Sequence, residues 1–250
     1  MLGKTALVTN IACVFAEMGK RTLIVDTDGQ GNASMTFGLN PDNIKDTVYD
    51  LMVGQKTAED LIVKLGKNLD LIPANHDLNF LDFDVIGNIK KYPEPFTLLK
   101  QGLESIKDSY DYIIIDTPPA LSLMAGNVLV SADRVLIPFL PEVYGVKGLI
   151  RIVKTLGEFK ESHNPSLSIA GVIGMMVERN TILHSDIITQ ARQYCVKNDI
   201  AFFDTVIPNS IRYPSVTYYE KKPAVWSKDA KAKKIAEFYY ELAKEVIEHG

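Results

Sequence analysis

Three groups of residues, in a fixed order along the chain, have the types needed to handle a phosphate and a hard cation. The first is Gly3-Lys4-Thr5, the closing triplet of the phosphate-loop pattern G-x-x-x-x-G-K-[ST]. In such a loop, backbone N–H groups at a helix N-terminus surround a phosphate, and the helix dipole favours its negative charge. Lys4 would reach the outer phosphates, and the Thr5 hydroxyl would ligate Mg²⁺, an ion that prefers oxygen. Gly3 and Ala6 complete the nucleotide-contacting candidates at this end. A flexible terminus that happens to spell the same triplet is the alternative.

The second group is Asp26-Thr27-Asp28-Gly29-Gln30-Gly31-Asn32, at the end of the apolar run 22–25. Two carboxylates spaced i, i+2 beyond a strand suit a loop that coordinates metal or water, and open α/β sheets bind ligands at those strand ends. Ordinary turn chemistry uses the same residues. The third group is Tyr112-Ile113-Ile114-Ile115-Asp116-Thr117-Pro118-Pro119. Four largely apolar residues ending in Asp match the metal-side strand of phosphate-loop nucleotidases, where the acid holds the Mg²⁺ hydration shell. The two prolines bar an immediate helix. Strand ends also carry Asp for capping alone, so the weight lies in the ordered set.

The elements that must position these groups alternate along the chain. Strands are expected over 22–26, 69–73, 112–116, 134–139, 168–177 and 201–207, and helices over 6–18, 94–108, 121–132, 146–161, 182–197 and 230–249. Continuous apolar runs such as 112–115 fit strands covered on both faces. The pattern predicts an α/β fold, a doubly wound, mostly parallel sheet flanked by helices, as a single domain over 1–250. Residues 36–66 read as an excursion from the sheet.

Composition narrows the class. The net charge of −4 excludes a general polyanion-binding character, so any nucleic-acid contact must come from a local patch. Cys13 and Cys195 lie far apart on expected helices and read as buried thiols of a cytoplasmic protein. His76, His163, His184 and His249 show no metal-ligand spacing. No apolar run reaches the ~18–20 residues of a membrane span, and there is no signal segment.

With the motifs assembled, the chain resembles the ParA/Soj group of deviant Walker A (P-loop) ATPases, relatives of MinD. The resemblance rests on Gly3-Lys4-Thr5, on Gly19-Lys20-Arg21 leading into Leu23 through Asn32, on Asp116-Thr117-Pro118-Pro119, and on Ile207-Pro208-Asn209-Ser210-Ile211-Arg212. It implies an ATP- and Mg²⁺-dependent partition ATPase. Such a protein forms a homodimer in the ATP state, binds DNA non-specifically and hydrolyses ATP when a ParB-type centromere-binding partner stimulates it. The implied setting is cytoplasmic and nucleoid-associated, without a membrane role. By position, Lys4 and Asp28 become the catalytic pair, with Asp28 orienting the attacking water. Thr5 and Asp116 hold the metal, Asp116 through water, and Asp26 supports that side. Pro208 and Asn209 lie near the adenine, and Arg212 matches a DNA-contacting position.

The chain departs from the family pattern in three places. Of the loop Lys-Gly-Gly-x-Gly-Lys-Thr only Leu2-Gly3-Lys4-Thr5 stands here, with Met1 at the second glycine. Gly29 replaces a usual proline, which should loosen that loop, and Asn209 replaces a common arginine. The expectation is therefore that the natural protein carries a further strand ahead of Met1, central to the sheet, and that the chain as written binds nucleotide poorly. A nucleotide-binding or scaffolding relative without hydrolysis is the alternative function.

The most basic stretch holds Arg212, Lys221, Lys222, Lys228, Lys231, Lys233 and Lys234, with Glu220 and Asp229 as its acids. Of these, Arg212, Lys231, Lys233 and Lys234 are the DNA-binding candidates; a solvated helix start would look the same. The final helix carries Ile235, Phe238, Tyr239, Leu242 and Val246 at core-facing spacing and ends in Glu241, Glu245 and Glu248, unlike a basic membrane anchor.

Overall fold

The continuous apolar runs become two sections of sheet. A computed structural model of the chain describes residues 2–118, 122–178 and 181–249. The strands are β1 (Thr22–Asp26), β2 (Val63–Gly66), β3 (Leu69–Ile72), β4 (Tyr112–Asp116), β5 (Arg134–Phe139) and β6 (Ser168–Gly174). One section has the order β2-β3-β1-β4, with β1 parallel to both β3 and β4 and β2 antiparallel to β3. The other is the parallel pair β5-β6. The fold is thus the expected mostly parallel α/β sheet flanked by helices.

The helices are α1 (Leu2–Glu17), α2 (Asn32–Thr36), α3 (Val48–Met52), α4 (Ala58–Leu61), α5 (Leu81–Ile86) and α6 (Leu98–Leu103) in the first part of the chain. They continue with α7 (Leu123–Ser131), α8 (Gly145–Ser162), α9 (Ile182–Lys197), α10 (Arg212–Glu220) and α11 (Ala230–Glu248). α1 is apolar nearly all round, and Ile11, Ala12, Cys13, Val14 and Phe15 are buried. It is clamped between the sheet and α11, with Phe15 stacked on Tyr112 of β4 at 4.3 Å. Such a helix owes its stability to burial on two sides rather than to an amphipathic stripe.

Among the described residues, no ladder joins β4 to β5. Tyr112, Ile113, Ile114 and Ile115 are only partly buried, whereas every residue of β1 is buried. The strand expected ahead of Met1 lies outside the described residues, as do Met1 and Pro119.

Several expectations are corrected. Helix α1 begins at Leu2, not residue 6, so Gly3-Lys4-Thr5 forms part of its first turns. The excursion over 36–66 does contribute to the sheet, through β2, an edge strand whose residues alternate between partial burial and exposure. The helix expected over 94–108 shrinks to α6. Pro95 lacks an N–H and pushes Glu94 out of the helical region, and a 3-10 turn follows at Lys107–Ser109.

The strand expected over 201–207 is reduced to bridges, Val172 with Phe202 and Val177 with Pro208. Between them the amides of Asp204 and Thr205 donate to the Glu245 carboxylate at 2.6 and 2.8 Å instead of to a ladder. Helices α5 and α10 were not anticipated. On α11 the buried stripe is Ala232, Ala236, Tyr239, Leu242 and Ala243, while Ile235, Phe238 and Val246 only flank it. The alanines let α11 approach α1 closely. Cys13 and Cys195 are buried and free, as expected, and burial drives the Cys13 thiol well above its ordinary range. Among the described residues no helix is long and apolar enough to cross a membrane.

Candidate phosphate and metal site

Strands β1 and β4 end on Asp26 and Asp116, which oppose each other in the parallel register. Neighbouring strands lie about 4.8 Å apart, so two carboxylates finish side by side at the sheet edge where ligands bind. The turn through Met18, Gly19 and Lys20 reverses the chain between α1 and β1. That reversal returns the start of α1 to the carboxyl end of β1. There the Thr5 hydroxyl donates to Asp116 Oδ2 at 2.7 Å, and Lys4 Nζ donates to the Pro118 carbonyl at 3.1 Å. The first and third groups, 111 residues apart, are thereby joined.

Asp116 is held from both sides. Its backbone carbonyl accepts from Thr27 N at 3.1 Å and Thr27 Oγ1 at 2.5 Å. Its Oδ1 is buried and has no hydrogen-bond partner among the described residues. Burial pushes the carboxyl up to about 7; Thr5 and Lys4 pull it down, while Asp26 and Asp28 push it up. Asp26 is fully buried. Its Oδ2 accepts from Ser34 N and Ser34 Oγ, each at 2.9 Å, and its Oδ1 accepts from Asp28 N at 3.3 Å. Burial raises it to about 6, against the pull of the Ser34 bonds. Asp28 is half-buried, and its Oδ1 accepts from Gln30 N at 3.0 Å, capping its own turn.

Gly31 completes that turn with φ 61°, and a Cβ there would meet Pro41 Cγ at 2.5 Å. Only glycine fits both the left-handed backbone and the contact. A Cβ on Gly29 would meet Asn79 Oδ1 at 2.8 Å. Ala6 is half-buried, and its carbonyl accepts from Asn10 Nδ2 at 2.7 Å. Gly3 has nothing within 4 Å of the place a Cβ would take, so its side faces open space.

Pro208 and Asn209 are anchored elsewhere in the chain. Asn209 N donates to Val177 O at 3.1 Å, and its side-chain amide donates to Glu178 Oε1 at 3.2 Å. Among the described residues no hydrogen bond connects them to Thr5 or Asp116. Arg212 opens α10 half-buried, and Lys231, Lys233 and Lys234 stand exposed on the first turns of α11. Two residues of the site escaped the sequence reading. Thr27 lay within the quoted motif, and its hydroxyl could have been flagged there. Ser34 had no periodic or spacing signal, because only the return of α2 over β1 brings it to Asp26.

An unpartnered buried carboxylate oxygen, beside a hydroxyl and a second acid, calls for a cation or a water. The groups here that could ligate, the Thr5 hydroxyl and the Asp116 and Asp26 carboxylates, are oxygens, which suits a hard divalent ion. Among the described residues no cluster of three or more His, Cys, Asp or Glu could enclose a metal. The Thr5 hydroxyl and the Asp116 carboxylate fit Mg²⁺, which is held by one or two carboxylates together with substrate phosphates. A hollow of about 720 Å³ between the α3–α4 segment and α6 is lined by residues including Lys56, Lys91 and Tyr92 and by none of these site residues.

A mostly parallel α/β sheet with a Gly-Lys-Thr helix start set against strand-end carboxylates defines the class of phosphate-loop nucleotidases. An AAA-domain family model, AAA_31, matches residues 2–169. The sporulation initiation inhibitor protein Soj of Bacillus subtilis is 33% identical over 250 residues, covering 100% of this chain and 95% of that protein. The chromosome partitioning protein ParA of Myxococcus xanthus is 30% identical over 247 residues, covering 98% and 84%. The crystal structure of cobyrinic acid a,c-diamide synthase from Mycobacterium smegmatis with bound ATP analog and magnesium is similar in fold. Its TM-score is 0.83 at 24% identity, covering 98% of this chain and 89% of that one. The chain belongs to the ParA/Soj family of P-loop partition ATPases.

Proposed function

We propose that the protein is a partition ATPase that binds ATP with Mg²⁺ at the Thr5–Asp116 site. It dimerises in the ATP state, holds DNA non-specifically through its C-terminal lysine face and is driven to hydrolysis by a ParB-type partner. The observation that carries the site is the Thr5 hydroxyl bonded to Asp116 while the other carboxylate oxygen stays buried and unpaired. The likeness to Soj and ParA supports the partition role, dimer and partner.

In this reading Lys4 exchanges the Pro118 carbonyl for the β- and γ-phosphates, a shift open to a long flexible ammonium side chain. Gly3, Lys4, Thr5 and Ala6 supply backbone N–H groups from the first turns of α1, where the helix dipole favours the phosphate. Thr5 and Asp116 hold the metal side, and Asp26 keeps Asp28 in place through the Asp28 amide and α2 through Ser34. Bound Mg²⁺ would neutralise charge on the phosphate oxygens. Asp28 orients the attacking water once its carboxylate leaves the Gln30 amide. Pro208 and Asn209 flank the base. The chain acts as one domain over 1–250, in the cytoplasm and on the nucleoid.

A fluorescent ATP analogue titrated with Mg²⁺ tests the site. Lys4→Ala combined with Asp116→Ala should abolish binding; unchanged affinity would remove the assignment. The second reading, binding without turnover, is favoured by the Asp28 carboxylate being tied up in its own turn. Phosphate release above an Asp28→Ala control, with DNA and a ParB-type partner present, decides between the two.

A further inference from the structure

The proposed DNA face has an unusual corner. At the end of α10, Tyr218 and Tyr219 are 69% and 79% exposed, their rings edge to face at 5.0 Å. After Glu220 come Lys221 and Lys222, both exposed, and Lys221 Nζ lies 5.3 Å from the centre of the Tyr218 ring. Lys221 itself adopts a left-handed backbone, φ 52°, which ends the helix and turns Lys222 outward.

The corner is fixed to the rest of the lysine face. Glu220 accepts from Ser227 Oγ at 2.7 Å and from Lys228 N at 3.1 Å, tying the end of α10 to the approach to α11. The other acid of this stretch, Asp229, caps α11 by accepting from Ala232 N at 2.8 Å. Both acids are thus spent on backbone and hydroxyl groups, and none of the exposed lysines of this stretch is among the ion pairs of the described residues. Positive charge flanks two solvent-facing aromatic rings in a chain that is acidic elsewhere.

A surface that only neutralised duplex phosphates would need the lysines and not the rings. Exposed aromatic faces among cations are what unpaired bases stack on, since every base has a π-face and the cations track the strand. A protein partner would be expected to bury such rings against an apolar contour. Here the neighbours are lysines, and the charge matches a polyanion. We propose that Tyr218 and Tyr219 form a stacking platform by which this face binds single-stranded nucleic acid, alongside duplex DNA. The platform rests on the lysine face being a nucleic-acid surface.

The test is fluorescence anisotropy with the full chain, ATP and Mg²⁺, using a 5′-labelled 20-nucleotide thymidine strand and a 20-base-pair duplex. Tyr218→Leu/Tyr219→Leu should weaken the single strand on the order of tenfold and the duplex less than about twofold. Tyr218→Phe/Tyr219→Phe should keep single-strand binding, because stacking needs the ring and not the hydroxyl. Lys233→Ala/Lys234→Ala should weaken both probes and flatten their salt dependence. The platform is overturned if the wild type binds duplex but no single strand, if the Leu variant leaves the single strand untouched, or if the Phe variant fails like the Leu variant. If the lysine pair alters neither probe, the lysine face itself is misread, a failure distinguishable from that of the tyrosines.

Discussion

Asp26 and Asp116 are almost wholly buried, whereas Lys231, Lys233 and Lys234 stand in solvent, and the two charged regions obey different physics. In the acid pair, low dielectric raises the cost of ionisation and leaves one oxygen unsatisfied, so each group is sensitive to a ligand that brings positive charge. On the lysine face every ammonium is hydrated and screened, so no single residue matters much and the effect is a sum. The acid site is therefore specific and strained without its ligand, while the lysine face is tolerant and tuned by salt.

Removing the site should have the largest effect. A ligand at a hundred times its Kd stabilises the fold by about 2.7 kcal/mol. Asp116→Ala should erase that Mg²⁺-ATP-dependent rise in melting temperature; a variant that still gains it would break the comparison.

Next comes the electrostatic strain. A carboxyl raised from 3.8 to about 7 carries a penalty that is absent below pH ~4 and complete above pH ~7. The ligand-free chain should lose stability as pH rises through that window, and Asp26, raised to about 6, adds to the same slope. Asp116→Asn can still accept the Thr5 bond but cannot ionise. Denaturant titration should find it ~2–4 kcal/mol more stable than the wild type at pH 8 and about equal near pH 4. Equal stability at both pH values would show that the acid is not strained.

A smaller loss is expected at Ser34. Ser34→Ala removes one of the two bonds to Asp26 Oδ2 and keeps the backbone one, costing ~1–2 kcal/mol by chemical denaturation. The smallest effects belong to the lysines. Lys233→Ala should leave thermal stability unchanged and lower the slope of log affinity against log salt for duplex DNA by about 0.9. A cooperative collapse of DNA binding from that one change would erase the distinction between the two regions.

The degree to which each region was legible follows from where its information sits. The strand ending in Asp26 and the strand ending in Asp116 could be read because unbroken apolar runs stop at an acid, and both end within their predicted bounds. Helix α9 was read with both ends right because its sequence is polar-faced and punctuated. The segment over 201–207 misled because its apolar pattern is strand-like, yet two of its amides are taken by Glu245, some 40 residues away. No local window contains that competitor. Edge strand β2 escaped for the opposite reason: four residues with a lysine and a glycine carry too little pattern. In the candidate site, Thr5, Asp26, Asp28 and Asp116 could be named from type and spacing, whereas Ser34 and the Pro118 carbonyl could not.

The sequence alone determined the family, the alternation of strands and helices, and the order of lysine, hydroxyl and acids along the chain. These depend on local pattern, and a phosphate-binding helix start or a strand-terminal acid carries its chemistry in its own residue type. Tertiary structure alone decided that Asp26 and Asp116 stand in register, that Thr5 reaches only one oxygen of Asp116, and that burial lifts both acids. It also set Lys221, just past the end of α10, beside the Tyr218 ring. The outcomes at the acids depend on distances between segments a hundred residues apart and on the exclusion of water, which no stretch of sequence contains.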